Sequence, residues 1–157
     1  MKILHTTLNL LLLCGLMLPI TAQAQDKETH CLAKVIYFET FQQTNEKSRQ
    51  AVSWVLLNRR NTEGWPATIC GNVYKQGQFP WIRNQIRDAN YYRQSLETAQ
   101  HMLSFGEIID PTGGALYFAS QTDWWFNSMI RRGELVETHR ESGHKFYFWK
   151  SKKKNYE

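Results

Sequence analysis

Glu39 is the residue whose surroundings best suit acid–base chemistry. It follows Leu32, Val35 and Ile36 at helical spacing, at i+7 from Leu32, and so extends an apolar stripe with an ionisable group. A carboxyl group facing a partly apolar cleft is disfavoured in its charged form, which raises its pKa. Kept protonated at neutral pH, it can give a proton to a glycosidic oxygen, a leaving group that needs one. The competing reading is a surface or ion-paired glutamate near a helix end.

Other chemistry finds less support. His30, His101, His139 and His144 could ligate a metal, but no HExxH or similar spacing joins them, so neither metal nor cofactor is expected. Three cysteines are present: Cys14 in the N-terminal apolar run, then Cys31 and Cys70. An even pair in an exported chain reads as a Cys31–Cys70 disulfide, and two isolated thiols do not suit zinc.

The elements that must position Glu39 follow from hydrophobic periodicity. Residues 28–41 read as a helix and 45–60 as a second, whose run from Ala51 to Leu57 is apolar nearly all round and suits a central buried helix. Pro66 occupies an expected first helical position, opening a short helix over 67–74. Residues 77–81 form a loop broken by Gly77 and Pro80. A third long helix spans 88–105, with Tyr92, Leu96, Ala99 and Leu103 on one side. A turn at 111–114, a short apolar stretch at 115–119 and a hairpin over 134–149 turning at Ser142-Gly143 complete the pattern. The expected fold is mainly α (α+β), with a small β-hairpin.

The N-terminus reads as an export signal. Lys2 and His5 precede an apolar run from Leu8 to Ile20, and Ala22-Gln23-Ala24 supplies a small-x-small cleavage site. The run is short for a membrane span, and Cys14 lacks the small residues a lipoprotein site wants before it. The expected organisation is a signal peptide over 1–24, one domain over 25–149 and a basic tail over 150–157, in a periplasmic or secreted monomer without stable membrane insertion. Of 19 Lys and Arg, only Lys2 leaves with the signal, so 18 face 14 acids in the mature chain. That modest positive charge suits an anionic polymer; export leaves cell wall favoured over nucleic acid.

Ordered motifs narrow the choice. Tyr37-Phe38-Glu39, Ala51-Val52, Leu57-Asn58-Arg59, Cys70, Val73-Tyr74 and Gln78-Phe79-x-Trp81 follow one another, then Gly114-Ala115-Leu116-Tyr117-Phe118 and Gly143-His144-x-Phe146-Tyr147. In this order the chain resembles the SleB-type cell wall hydrolases, the spore-cortex-lytic enzymes and their relatives, over about residues 31–148. The resemblance implies a lysozyme-like helical catalytic domain that acts on peptidoglycan with Glu39 as catalytic acid. It implies cleavage between N-acetylmuramic acid and N-acetylglucosamine, by lytic transglycosylation in the better understood members. Gln78, Phe79, Trp81, Tyr117, His144 and Tyr147 become candidate substrate-binding residues. Phe79, Trp81 and Tyr117 serve equally as core aromatics, and His144 as a residue orienting the hairpin. Arg59 suits a structural role, pairing an acid, and Asn58 stays undecided.

The chain departs from the family pattern beside Glu39. Where the family commonly reads Glu-Ala-Arg-Gly-Glu, this chain has Glu39-Thr40-Phe41-Gln42-Gln43, so Gln43 replaces the second acid. It also has Ala119 where a His often follows the Tyr-Phe pair. A water-activating glycosidase normally uses two carboxylates. A transglycosylase needs one, because the same glutamate protonates the leaving oxygen and then takes the proton of the sugar's C6 hydroxyl. Glu46 and Asp123 are the remaining candidates for a second acid. An N-acetylmuramoyl-L-alanine amidase and a non-catalytic wall-binding module are the alternatives from other classes.

Overall fold

The apolar stripe of the first helix lies at the centre of the core: Leu32, Val35 and Ile36 have no exposed surface. Each such side chain contributes roughly 1.5–3 kcal/mol on burial. The computed structural model describes residues 18–41, 45–104 and 109–150, with side chains from residue 23 onward. Gln42, Gln43, residue 105 of the expected third helix and the tail beyond Lys150 lie outside the described residues.

Helix α1 (Leu18–Glu39) begins earlier than expected, because Ala22 and Ala24 are strong helix formers and no glycine intervenes. It ends on Glu39. Thr40 then folds back, its backbone N–H and its hydroxyl both donating to the Ile36 carbonyl. Helix α2 (Glu46–Arg60) is capped by Asn45, whose side chain accepts from the Lys47 N–H. Ala51, Val52, Val55 and Leu56 are fully buried in it, as expected of a central helix.

Helix α3 (Ile69–Val73) starts later than Pro66 because Thr68 provides the cap, its hydroxyl accepting from the Gly71 N–H at 3.0 Å. A Cβ at Gly71 would meet that hydroxyl oxygen at 2.7 Å and the Pro66 ring at 2.8 Å, so the turn requires glycine. The Glu28 carboxylate accepts from the N–H groups of Ile69 and Cys70, and the Cys31–Cys70 disulfide joins α1 to α3 beside it.

Helix α4 (Ala89–Ser104) buries a face rotated from the expected one. Tyr91, Ser95, Thr98, Ala99 and Met102 lie deepest, while Tyr92, Leu96 and Leu103 are only partly buried. The polar members are accommodated by hydrogen bonds, from Ser95 to the Tyr91 carbonyl and from Thr98 to Glu46. Helices α2, α3 and α4 all pack on α1.

The β element is a three-stranded antiparallel sheet. Strand β1 (Tyr117–Ala119), from the expected apolar stretch, pairs with β3 (His144–Trp149), which pairs with β2 (Leu135–Glu141). The β2–β3 hairpin turns at Ser142 and Gly143 with φ of 46° and 87°, the doubly left-handed turn that matches strand twist. Pleating sends consecutive β3 residues to opposite faces. Phe146 enters the main core, and Tyr147 joins Met129 and Leu135 in a second cluster. Helix α5 (Trp124–Arg131), which the hydrophobic pattern did not mark, covers that second face. Asp123 caps it by accepting from the Phe126 N–H.

Candidate active site

Glu39 stands at the C-terminal end of α1, where several bonds fix the helix. The Tyr91 hydroxyl donates to the Thr40 carbonyl and lies 2.7 Å from the Thr40 hydroxyl. On the other side, the loop after α3 is fastened along α1. Lys34 donates to the Ile82 carbonyl at 2.6 Å, and the Tyr37 hydroxyl accepts from the N–H groups of Arg87 and Asp88. Phe38 stacks on Trp81 with ring centroids 4.7 Å apart. The loop residue Trp81 is therefore held where its indole N–H donates to Glu39 Oε1, at 2.5 Å.

A cavity of about 350 Å³ opens at this point. Glu39, Arg59, Gln78, Phe79, Pro80 and Trp81 line it, together with Phe118, Ala119, Ser120, Gln121 and His144. Four of the six expected binding residues thus share a cavity with Glu39. Tyr117 and Tyr147 do not. Tyr117 lies beyond Arg59 among Trp65, Trp125, Phe126 and Trp149, and Tyr147 is 1% exposed in the second cluster.

The electrostatics of Glu39 balance two tendencies. Burial is the larger influence and raises its pKa; the Trp81 hydrogen bond and the positive charge of Arg59 act in the opposite direction. The carboxyl group therefore holds its proton more tightly than an ordinary carboxylate, while its anion keeps one hydrogen-bond donor, Trp81, and the more distant positive charge of Arg59. Among the described residues it is the only acid lining the cavity. Glu46 accepts from Arg49 and Thr98, and Asp123 caps α5, so both other candidate acids are engaged away from it.

Arg59 was expected to pair an acid and does not: among the described residues it has no salt bridge. Its Nε donates to the Leu116 carbonyl at 2.7 Å, and its guanidinium carbon lies 4.3 Å from the centre of the Trp65 ring. Desolvation pulls its pKa down to about 10, which leaves it charged at neutral pH. His144 is buried, and desolvation lowers its pKa, which favours the neutral ring. Asn58 is structural, donating to Asp110 and to the Ala115 carbonyl.

Ser120 and Gln121 were missed by sequence reasoning; nothing but their position after the Tyr117-Phe118 motif signals them. No three His, Cys, Asp or Glu side chains gather as a metal-binding group among the described residues. Nor is any described helix long and apolar enough to cross a membrane.

Comparison with known proteins adds a family and a fold. The Cell Wall Hydrolase family model matches residues 43–147, more than half of the chain, beginning just after Glu39. The crystal structure of the catalytic domain of the Bacillus cereus SleB protein is similar, with a TM-score of 0.56 and 20% identity over 78% of this chain and 91% of that one. At that identity the likeness is one of fold. Among curated proteins none matches.

Proposed function

The chain belongs to the Cell Wall Hydrolase family, and from that premise we propose that it cuts the glycan strand of peptidoglycan between N-acetylmuramic acid and N-acetylglucosamine, with Glu39 as the catalytic acid. Supporting this reading is the cavity that holds a desolvated Glu39 beside Trp81, an aromatic face suited to a sugar ring.

We further propose lytic transglycosylation as the mechanism. Neutral Glu39 gives its proton to the glycosidic oxygen as the bond from C1 of N-acetylmuramic acid breaks. The carboxylate so formed, favoured by Trp81 and Arg59, takes the proton of the C6 hydroxyl while that oxygen bonds to C1. A 1,6-anhydro ring closes, no water is consumed, and Glu39 is neutral again. The observation that favours this route is that Glu39 is the only acid lining the cavity among the described residues. The tethered C6 hydroxyl needs no separately positioned water.

We place the action of the enzyme outside the cytoplasm, with residues 1–24 as the export signal, 25–149 as the domain and 150–157 as a basic tail. Gln23 and Ala24 are exposed, and among the described side chains of α1 the first buried one is Thr29, so cleavage after Ala24 removes nothing described from the core.

Digestion of purified sacculi followed by mass analysis of the fragments tests bond and mechanism together. The expected ends are 1,6-anhydro-N-acetylmuramic acid, lighter by one water than hydrolysed ends. Reducing N-acetylmuramic acid ends alone would overturn the transglycosylase step and keep the bond. Released stem peptides with intact glycan would replace both with an amidase.

A further inference from the structure

A second cavity, of about 510 Å³, is lined by Tyr37, Phe38 and Phe41 from the end of α1 and by Asn84, Gln85 and Arg87 from the loop before α4. It shares no lining residue with the Glu39 cavity. The two cavities nevertheless meet at one contact. Phe38 lines this one, Trp81 lines the other, and their rings stack 4.7 Å apart.

Bonds between the two walls fix this cavity. The Tyr37 hydroxyl accepts from the N–H groups of Arg87 at 3.1 Å and Asp88 at 3.0 Å, and the Asn84 N–H donates to the Trp81 carbonyl at 2.7 Å. Tyr37 packs edge-on to Phe38 and tilted against Phe41, so three rings form a continuous apolar wall. Phe41 stays 44% exposed, in the position where the family pattern commonly has Arg.

Arg87 is the only charged residue lining the cavity and has no salt bridge among the described residues. Its neighbour Asp88 is engaged elsewhere, accepting from the Tyr91 N–H at 2.9 Å. Aromatic rings, two side-chain amides and one unpaired cation are the complement of an acidic peptide. The amides match peptide N–H and C=O groups, and a guanidinium matches a carboxylate. A neutral sugar would use the rings and leave the cation idle.

We propose that this cavity is a subsite for the stem peptide of the substrate, with Arg87 taking one of its carboxylates. This rests on the glycan-cleaving reading above, because the stem hangs from the N-acetylmuramic acid that Glu39 acts on. An extended chain advances about 3.3–3.6 Å per residue, so two to three stem residues suffice to pass the Phe38–Trp81 pair. Arg87 thereby becomes a specificity-determining residue that distinguishes peptide-bearing glycan from bare glycan.

The test compares purified sacculi with the same glycan stripped of its stem peptides, counting new glycan ends released by the full mature enzyme. Wild type should favour the peptide-bearing substrate by about fivefold, the upper scale of an exposed charge pair, through KM rather than kcat. High salt should shrink that preference by screening. Arg87→Gln should abolish it, with the loss confined to the peptide-bearing substrate, and Arg87→Lys should keep part of it. Gln85→Glu, which sets an anion at the cavity, should also lower the preference, and it decides the matter if Arg87→Gln melts well below wild type. Trimming the terminal stem residues separates the two sources of the carboxylate. A preference that survives trimming assigns an internal carboxylate, and one lost with trimming assigns the C-terminal one. If wild type cuts both substrates equally, or the preference survives Arg87→Gln, the stem subsite is wrong and the glycan reading stands. An equal loss on both substrates overturns it too, making the cavity a further sugar subsite. If neither glycan is cut, both readings fall.

Discussion

Trp81 and Glu39, 42 residues apart in sequence, meet in a hydrogen bond of 2.5 Å from the indole N–H to the carboxyl oxygen. A donor aimed at a carboxylate favours the charged form, against the burial that favours the neutral one. The pair therefore sets where Glu39 titrates. An acid that must also serve as a base requires such a compromise, because full desolvation would strand the proton.

Trp81→Phe keeps the stack on Phe38 and removes the donor. Burial of Glu39 then acts with only Arg59 opposing it. The alkaline limb of the pH–rate profile for sacculus digestion should move to higher pH, and the maximal rate should fall roughly tenfold as the carboxylate loses a partner. An alkaline limb that stays in place would show that Trp81 does not tune the acid.

Glu39→Gln should lower the digestion rate by about 10²–10⁴-fold or more with the fold intact. It should also alter stability in a defined direction. The folded pKa lies above the ordinary 4.5, so the native state holds the proton more tightly than the unfolded chain. Stability is complete below that ordinary value and declines as pH rises through the folded one. Glutamine has no such penalty. Melting temperatures of wild type and variant should coincide in acid and separate as pH rises, with the variant higher; the reverse order would refute the raised pKa.

Much of the candidate site is legible in these residues, for reasons that differ by residue. Glu39 was visible because an ionisable group at i+7 from Leu32 interrupts an otherwise apolar stripe. Phe79 and Trp81 were reached through the order of motifs, since nothing local says that a loop folds back over α1. Lys34, Tyr37 and Tyr91, which fasten that loop and the helix end, look like ordinary helix residues. Arg59 was read as an ion-paired helix terminus; only the packed structure leaves its Nη1 without an acceptor. Tyr147 follows Phe146 directly, and the pleat sends it to the far face. Helix α5 escaped because eight residues after a turn give little periodicity, although Asp123 was its cap. In α4, hydrogen bonds let Ser95 and Thr98 occupy buried positions that hydrophobicity alone assigns to Tyr92 and Leu96.

The disulfide joins residues separated by 39 positions. In the chain-entropy picture, closing such a loop stabilises the fold by about 4 kcal/mol at most, with measured values commonly lower. Replacing both Cys31 and Cys70 by Ser should lower the melting temperature to that of the wild type in reductant, and added reductant should not move the double variant further. Equal melting of the oxidised and reduced wild type would show that the bridge contributes nothing.

Asp110 organises the turn that delivers the far wall of the cavity. Its carboxylate accepts from Asn58 Nδ2 at 2.9 Å, from the Thr112 N–H at 2.7 Å and hydroxyl at 2.6 Å, and from the Gly114 N–H at 2.9 Å. Two residues past Gly114, the Leu116 carbonyl receives the Arg59 side chain. Burial raises the pKa of Asp110, but the hydrogen bonds from Thr112, Asn58 and Gly114 outweigh it, and the result lies below the ordinary 3.8. A depressed carboxyl pKa contributes stability that is present above the unfolded value and is lost as pH falls through the folded one. Asp110→Asn keeps the shape but turns one oxygen into a donor facing donors, costing roughly 1.5–3 kcal/mol at neutral pH. The gap between wild type and variant should narrow steadily as the wild-type carboxylate protonates below 3.8. Digestion by the variant should weaken as well, because the segment before β1 that holds Arg59 loses its anchor. A stability gap that is the same at neutral pH and in strong acid would show that the carboxylate charge plays no part in holding the turn.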